Sequence, residues 1–297
     1  MPDQHEISAF SEVLNSTEKP ILVGGQAVNL WAEHYGSAIP ALDPLRPFMS
    51  KDADIFGDRA MAERLAEATQ WQLTCYNEPR TIAVAMLTKE IPGKEPLLIE
   101  VINSVNGLTP GDLADPDLLE LRPGQVYRVP SPIILLKAKL ANVAYIDQTR
   151  RQDVRHVQML LPCVCEYVRE AHSRAIAGEI TERELVNLLE SVRDLSSNEN
   201  YRELGKKHDF DLNGLFPDEL SQSKLVKVAR FTQFRISGPI PPPGFSPKPS
   251  MGAEKTTETD ERTSSQKGGV GKHLPDWSLD DFSHGSGAPE KDRELEL

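Results

Sequence analysis

The 297-residue chain reads as an α+β protein: a mixed β-sheet with flanking helices, then a helical C-terminal region and a disordered tail. Three observations lead there. Through the first 130 residues, short β-type runs are joined by only one or two helical stretches. From Ser131 to about Phe231 the patterning is helical, and beyond Ser237 the composition changes abruptly. From Pro239 to Leu297, 59 residues hold 8 Pro, 7 Gly and only 12 hydrophobic residues, too little apolar surface to offset the entropy of ordering the chain. The expected divisions are therefore 1–130, 131–237 and 238–297.

The elements follow in order. Ile21-Leu-Val-Gly-Gly25 predicts a short buried strand ending in a tight turn, after which Ala27, Val28, Leu30, Trp31 and Tyr35 recur at helical spacing. A loop with Pro40, Pro44 and Pro47 leads to a strand at Asp52 to Phe56 and an amphipathic helix at Ala60 to Thr69. Gln72 to Tyr76, Thr81 to Leu87 and Pro96 to Ile102 are β-type runs. A short strand, Val126 to Val129, precedes a helix entered through Ser131-Pro132, where the fixed φ of proline suits the first turn. Asn198 to Gly214 is the weakest part of the helical region, and no internal repeat is present.

Charge narrows the function classes. The net charge is -12; the tail holds 7 Lys and Arg against 11 Asp and Glu, which leaves -8 on the body. Such a body repels a phosphate backbone, which argues against general duplex binding but leaves room for one nucleotide in a local pocket. The longest purely apolar run, Ile82 to Leu87, is far too short to span a membrane. The opening Met1-Pro-Asp-Gln-His-Glu6 lacks the basic and apolar regions of a signal peptide, so a cytoplasmic protein is expected. Cys75, Cys163 and Cys165 are odd in number and form no Cys-x-x-Cys, which argues against a disulfide framework or a zinc ribbon.

Several residues have the types and spacing for chemistry. Gly24-Gly25 stands between a strand and a helix, where free N–H groups favour a phosphate, although a plain tight turn uses glycines equally well. Asp52-Ala-Asp54 sets two carboxylates at i and i+2, on one face of a strand, where they repel unless a cation lies between them. Hard oxygen donors suit magnesium; the alternative is an exposed edge strand, against which Ile55 and Phe56 argue. Glu100 interrupts the apolar run Leu97 to Ile102 and shares a face with Leu98 and Ile102, pointing at a metal, a partner or solvent.

On the helix after Ser131, Lys137 and Lys139 sit beside an apolar stripe, where lysines ordinarily snorkel to solvent but near a triphosphate can neutralise charge. Asp153 and His156 share a helix face three residues apart, as a surface ion-pair cluster would; the other reading, His156 as a metal ligand, has no second His or Cys at ligand spacing to support it. Two patterns are decoys. Lys267 to His273 lacks the first glycine, the Ser/Thr and the preceding strand of a phosphate loop. Cys163-Val-Cys165, beside Pro162, reads as core. Leu274 to Phe282 places aromatic residues in an acidic setting, which suits either a solvated tail or a short docking motif for a protein partner.

Taken in order, Leu22-Val-Gly-Gly-Gln-Ala-Val28, Ser50-Lys-Asp-Ala-Asp-Ile-Phe56 and the Glu100 strand resemble the polymerase-β-type nucleotidyltransferase superfamily. The chain is most similar to its minimal and AbiEii-like bacterial members, whose second half is matched by Val129-Pro-Ser-Pro132, Lys139-Leu140 and Arg150 to Asp153. The likeness covers about Ile21 to Leu161. It implies a magnesium-dependent enzyme that moves a nucleoside monophosphate from an NTP to an acceptor hydroxyl on tRNA or protein, in a toxin–antitoxin-like setting. It assigns two Mg2+ ions to Asp52, Asp54 and Glu100, with Glu100 also a general base. Gly24, Gly25, Ser50, Lys139 and Arg151 would bind the nucleotide. The chain departs from the pattern at Gln26, where Ser or Thr is common, at Phe48, where an Arg is common and Arg46 is the substitute at hand, and at His156, where a second Asp is common. Glu100 itself replaces the commoner Asp. These departures suit a second reading, a catalytically degenerate nucleotide- or protein-binding module of the same fold. A third is a helical scaffold that binds no nucleotide.

Overall fold

The computed structural model describes residues 5–78, 81–149 and 151–236. The tail, its Leu274–Phe282 segment, the decoy at 267–273 and Arg150 lie outside the described residues. A seven-stranded mixed sheet is built from β1 (Ile21–Val23), β2 (Ala53–Phe56), β3 (Gln72–Cys75), β4 (Ala83–Lys89), β5 (Leu97–Ile102), β6 (Asp117–Arg122) and β7 (Gln125–Val129). Their order across the sheet is β3-β4-β5-β2-β1-β7-β6. The β2–β5 and β1–β7 pairs are parallel, and the other neighbours run antiparallel. The helices are α1 (Ser11–Leu14), α2 (Gly24–Tyr35), α3 (Arg59–Thr69), α4 (Pro132–Tyr145), α5 (Asp153–Ala177), α6 (Glu182–Ser197), α7 (Glu199–His208) and α8 (Val226–Phe231).

The period-2 alternation of the strands sorts their side chains between two faces. Leu22, Ala53, Ile55, Ala85, Leu87, Ile99, Val101, Leu119, Tyr127 and Val129 are buried in the main core, shared with apolar residues of α2, α4 and α5. On the other face Val23, Ile102 and Leu113 form a small satellite cluster, with Ile21, Phe56, Val105, Leu108 and Ile134 against it. Asp54 and Glu100 belong to this second face, which is why two acids can occupy central strands without being sealed into the core.

Helix ends are set by local chemistry. Ser131 accepts from the Ile134 N–H at the start of α4, one position before Pro132, as the sequence predicts. Asp58 caps α3 in the same way, and Thr181 with Glu184 forms a capping box on α6. Trp31, 2% exposed, donates its indole N–H to the Pro130 carbonyl at 2.9 Å, so α2 is anchored to the link between sheet and helical region. The described residues fall in one compact unit, Met1–Ile240, and the core runs unbroken across residue 130. Cys163 is buried in it, its thiol pushed up to about 12 by burial, as a core residue rather than a redox site. No described helix is long and apolar enough to cross a membrane.

Two elements form where the sequence predicts none: the N-terminal helix α1, which buries Val13 and Leu14, and the strand β6. In β6, Asp117-Leu-Leu-Glu-Leu-Arg122 buries only Leu119, so its pattern is that of a solvated edge. Its hairpin to β7 turns through Pro123-Gly124, with Gly124 at φ +81°. Within the weak stretch, Glu199–His208 is nonetheless helical, started by the Asn198 side chain accepting from the Tyr201 N–H and ended by Asp209 in the left-handed region.

Candidate functional site

The site begins with strand register. Val23, Asp54 and Glu100 are cross-strand partners on three adjacent central strands, so their side chains stand in one row on the satellite face. Asp52 stands just before β2. The chain leaves β1 directly into α2, and Gly24 takes φ +68° there. A Cβ on Gly24 would lie 1.8 Å from Asp54 Oδ2, so only glycine lets the backbone pass this close to the carboxylate. Gly25 is less confined but still close-packed: a Cβ would meet Ser50 Oγ at 3.1 Å and His156 Cε1 at 3.2 Å.

Side chains from α4 and α5 complete the opposite wall. Lys139, 6% exposed, donates to Asp153 Oδ1 at 2.8 Å, and Arg151 Nε donates to Asp153 Oδ2 at 2.6 Å. Asn142 adds a donor to Oδ1 at 3.3 Å. Lys139 is thus buried and paired rather than snorkelling. The Asp153/His156 pair is buried as well, at 2% and 6% exposed, which corrects the surface ion-pair cluster expected from its spacing. Spacing alone could not distinguish the two, because a surface face and a cavity wall share the same i, i+3 pattern. Lys137 faces another way and pairs with Asp112.

Together these residues line one cavity of about 570 Å³. It is lined by all eight residues to which the family resemblance gives a role: Gly24, Gly25, Ser50, Asp52, Asp54, Glu100, Lys139 and Arg151. Residues given no role by sequence reasoning complete it, among them Ser104 and Asn106, which follow Glu100 within the segment Leu98 to Gly107 that carries the resemblance, and Asn142 on α4, which no pattern announces. Asn106 donates to Asn142 Oδ1, closing the rim between the loop after β5 and α4. The departures from the family pattern take up other posts. Gln26 is fully buried and donates to the His5 carbonyl, tying down the segment that pairs with Ser50. Phe48 is buried under the Arg46 guanidinium, which reaches Glu33 and Asp43 on the surface and does not enter the cavity.

No protein-family model matches the chain, and no curated protein matches it. What the cavity can do therefore rests on its own electrostatics.

The carboxylates crowd one another. Burial, then the charge of Asp52, raises Asp54 to about 7, with Glu100 adding to the effect and Lys139 opposing it. Burial and Asp52 likewise raise Glu100. At the other wall, burial would raise Asp153, but Lys139 and Arg151 outweigh it and hold the carboxyl at about 2. The cavity is bipolar: an acid row short of positive charge faces an ammonium and a guanidinium that share a single carboxylate. Such an acid row is one that a divalent cation would relieve.

Among the described residues, no three His, Cys, Asp or Glu side chains are gathered closely enough to hold one ion by themselves. Magnesium does not require that. It is usually held by one or two carboxylates, with water and substrate phosphates filling the remaining positions. Hard oxygen donors, mutual repulsion and an open cavity fit that mode of binding, in which any one ion would be held by one or two of Asp52, Asp54 and Glu100 and not by all three together.

Proposed function

We propose that the chain is a magnesium-dependent nucleotidyltransferase that moves a nucleoside monophosphate from an NTP to an acceptor hydroxyl. The observation that carries this reading is the meeting of Gly24 with Asp54: a glycine-started helix N-terminus within contact distance of a carboxylate whose strand neighbour is Glu100. Anion-seeking N–H groups and cation-seeking carboxylates are thus adjacent in one cavity, as a metal-bound polyphosphate demands. The resemblance of Gly24-Gly25, Ser50 to Asp54 and Glu100 to polymerase-β-type enzymes supports the same assignment.

In this mechanism Asp52, Asp54 and Glu100 would share the holding of magnesium, which when bound would supply charge neutralisation for an in-line displacement at phosphorus. The N-terminal N–H groups of α2 bind the phosphates. Lys139 and Arg151, which outnumber Asp153, offset charge on the departing pyrophosphate. Glu100, its proton affinity raised, takes the proton of the acceptor hydroxyl. The acceptor is a tRNA end or a protein side chain, either of which offers the hydroxyl this chemistry needs.

The test is incubation of the full chain with each labelled NTP, magnesium and cell extract, beside the Asp52→Ala/Asp54→Ala variant. Label is expected on an acceptor only with the wild-type chain. Equal labelling by both proteins rules the enzyme out. If, in addition, NTP binds equally well with and without magnesium, the degenerate binding module takes its place.

A further inference from the structure

The helix that opens at Gly24 has no side-chain cap. Its first-turn N–H groups have no intrahelical partner, a general property of helix starts. Facing this turn from α5 is His156. The side chain is 6% exposed, and neither Nδ1 nor Nε2 has a hydrogen-bond partner among the described residues. A buried polar group with no partner is costly, and native structures seldom leave one without a reason. The ring also has a definite orientation. A Cβ on Gly25 would lie 3.2 Å from Cε1 and 3.6 Å from Nε2, so this edge of the imidazole faces the start of α2. Ser50 Oγ comes to the same point.

The charges around His156 decide which form it takes. Burial, then the ammonium of Lys139, lowers it to about 3, with Arg155 and Arg151 acting the same way and Asp153 opposing. At neutral pH the ring is therefore uncharged, with one N–H to donate, and it is too weak a base to take a proton from a hydroxyl. A neutral donor beside free backbone N–H groups suits an anion.

We propose that His156 is a phosphate-binding residue: its imidazole N–H, the first-turn N–H groups of α2 and the Ser50 hydroxyl form a subsite for the phosphoryl groups of a polyphosphate. The choice of a polyphosphate rests on the nucleotide reading of the cavity. The bland reading, a histidine that merely fills space between α2 and α5, makes the opposite prediction for binding.

The experiment is calorimetry on the full chain with inorganic pyrophosphate and magnesium, comparing wild type with His156→Leu and His156→Gln. Leucine keeps the bulk and removes the donor; glutamine restores an N–H near Nε2. His156→Leu is expected to weaken pyrophosphate binding by about ten-fold or more, the usual effect of losing a hydrogen bond to a charged group, without lowering the melting temperature of the free protein. His156→Gln is expected to recover most of the affinity. In the wild-type chain, the Cε1–H resonance of His156 is expected to shift when pyrophosphate is added, a readout that does not depend on any variant folding. Unchanged affinity in a folded His156→Leu, a resonance that does not move, or no binding to wild type overturns the subsite. The labelling assay separates this outcome from the enzyme reading. Labelling without His156 dependence overturns only the subsite, while His156-dependent pyrophosphate binding without labelling overturns only the transfer.

Discussion

Asp54 lies between Val23 and Glu100 on the sheet, with Gly24 folded over its carboxylate, and this setting determines how it responds to pH. Its ordinary value of 3.8 rises to about 7 on folding, so the folded protein binds this proton more tightly than the unfolded chain. Stability from this group is complete below about pH 4 and is lost as pH rises through 7, on the order of 2–4 kcal/mol in all. Asp153 works in the opposite sense. Held at about 2, it contributes stability above pH 4 that is lost only as pH falls toward 2. Asp54→Asn is therefore expected to raise stability over wild type at pH 8 and to change it little at pH 4, while abolishing transfer. Urea unfolding of both proteins at the two pH values checks this; an equal gain at both would exclude Asp54 as the source. Much of this residue chemistry was legible in the sequence. Two acids at i, i+2 and a third breaking an apolar run are conspicuous in one dimension. The burial of Lys139 and His156 was not, because side chains on one helix face look alike until a neighbouring element covers them.

At the scale of elements, the start of α5 is joined to α4 by charge. Lys139 from α4 and Arg151 from the connection meet the Asp153 carboxylate, which is 2% exposed. Breaking such a pair by removing one partner typically costs about 3–5 kcal/mol, whereas replacing both with apolar groups of similar volume is often tolerated. Lys139→Met is expected to destabilise the protein by several kcal/mol. The Lys139→Met/Asp153→Leu variant should recover much of that stability without recovering transfer. A double-mutant cycle by chemical unfolding measures the coupling, and additive losses would refute it. Patterning located β1 to β5, β7, α2 to α4 and the helical character beyond them, because apolar residues recur in each, from the half-buried Leu73 and Cys75 of β3 to the almost wholly buried α4. It missed α1, four residues long and too short to show a helical period, and β6, whose single buried residue, Leu119, leaves no alternating stripe; a backbone ladder with β7 holds that strand instead.

For the molecule as a whole, the sequence divides naturally near residue 130, yet Trp31 of α2 bonds to Pro130 and one core joins sheet and helices. The described body is expected to unfold in a single transition, with far-ultraviolet circular dichroism and tryptophan fluorescence changing together. Two separated transitions would show that 1–130 and 131–237 fold independently. The sequence by itself determined the alternation that sets Asp54 opposite Ile55, and Glu100 opposite Ile99 and Val101, within their own strands, since a strand's period of two is a local property. It also determined the acidic balance that disfavours broad contact with a duplex. Only the tertiary structure decided that strands β1, β2 and β5 lie side by side, that Gly24 closes over Asp54, and that α5 brings an unpartnered imidazole to the head of α2. Those are contacts between segments dozens of residues apart, where the outcome depends on which surfaces pack together rather than on any local spacing.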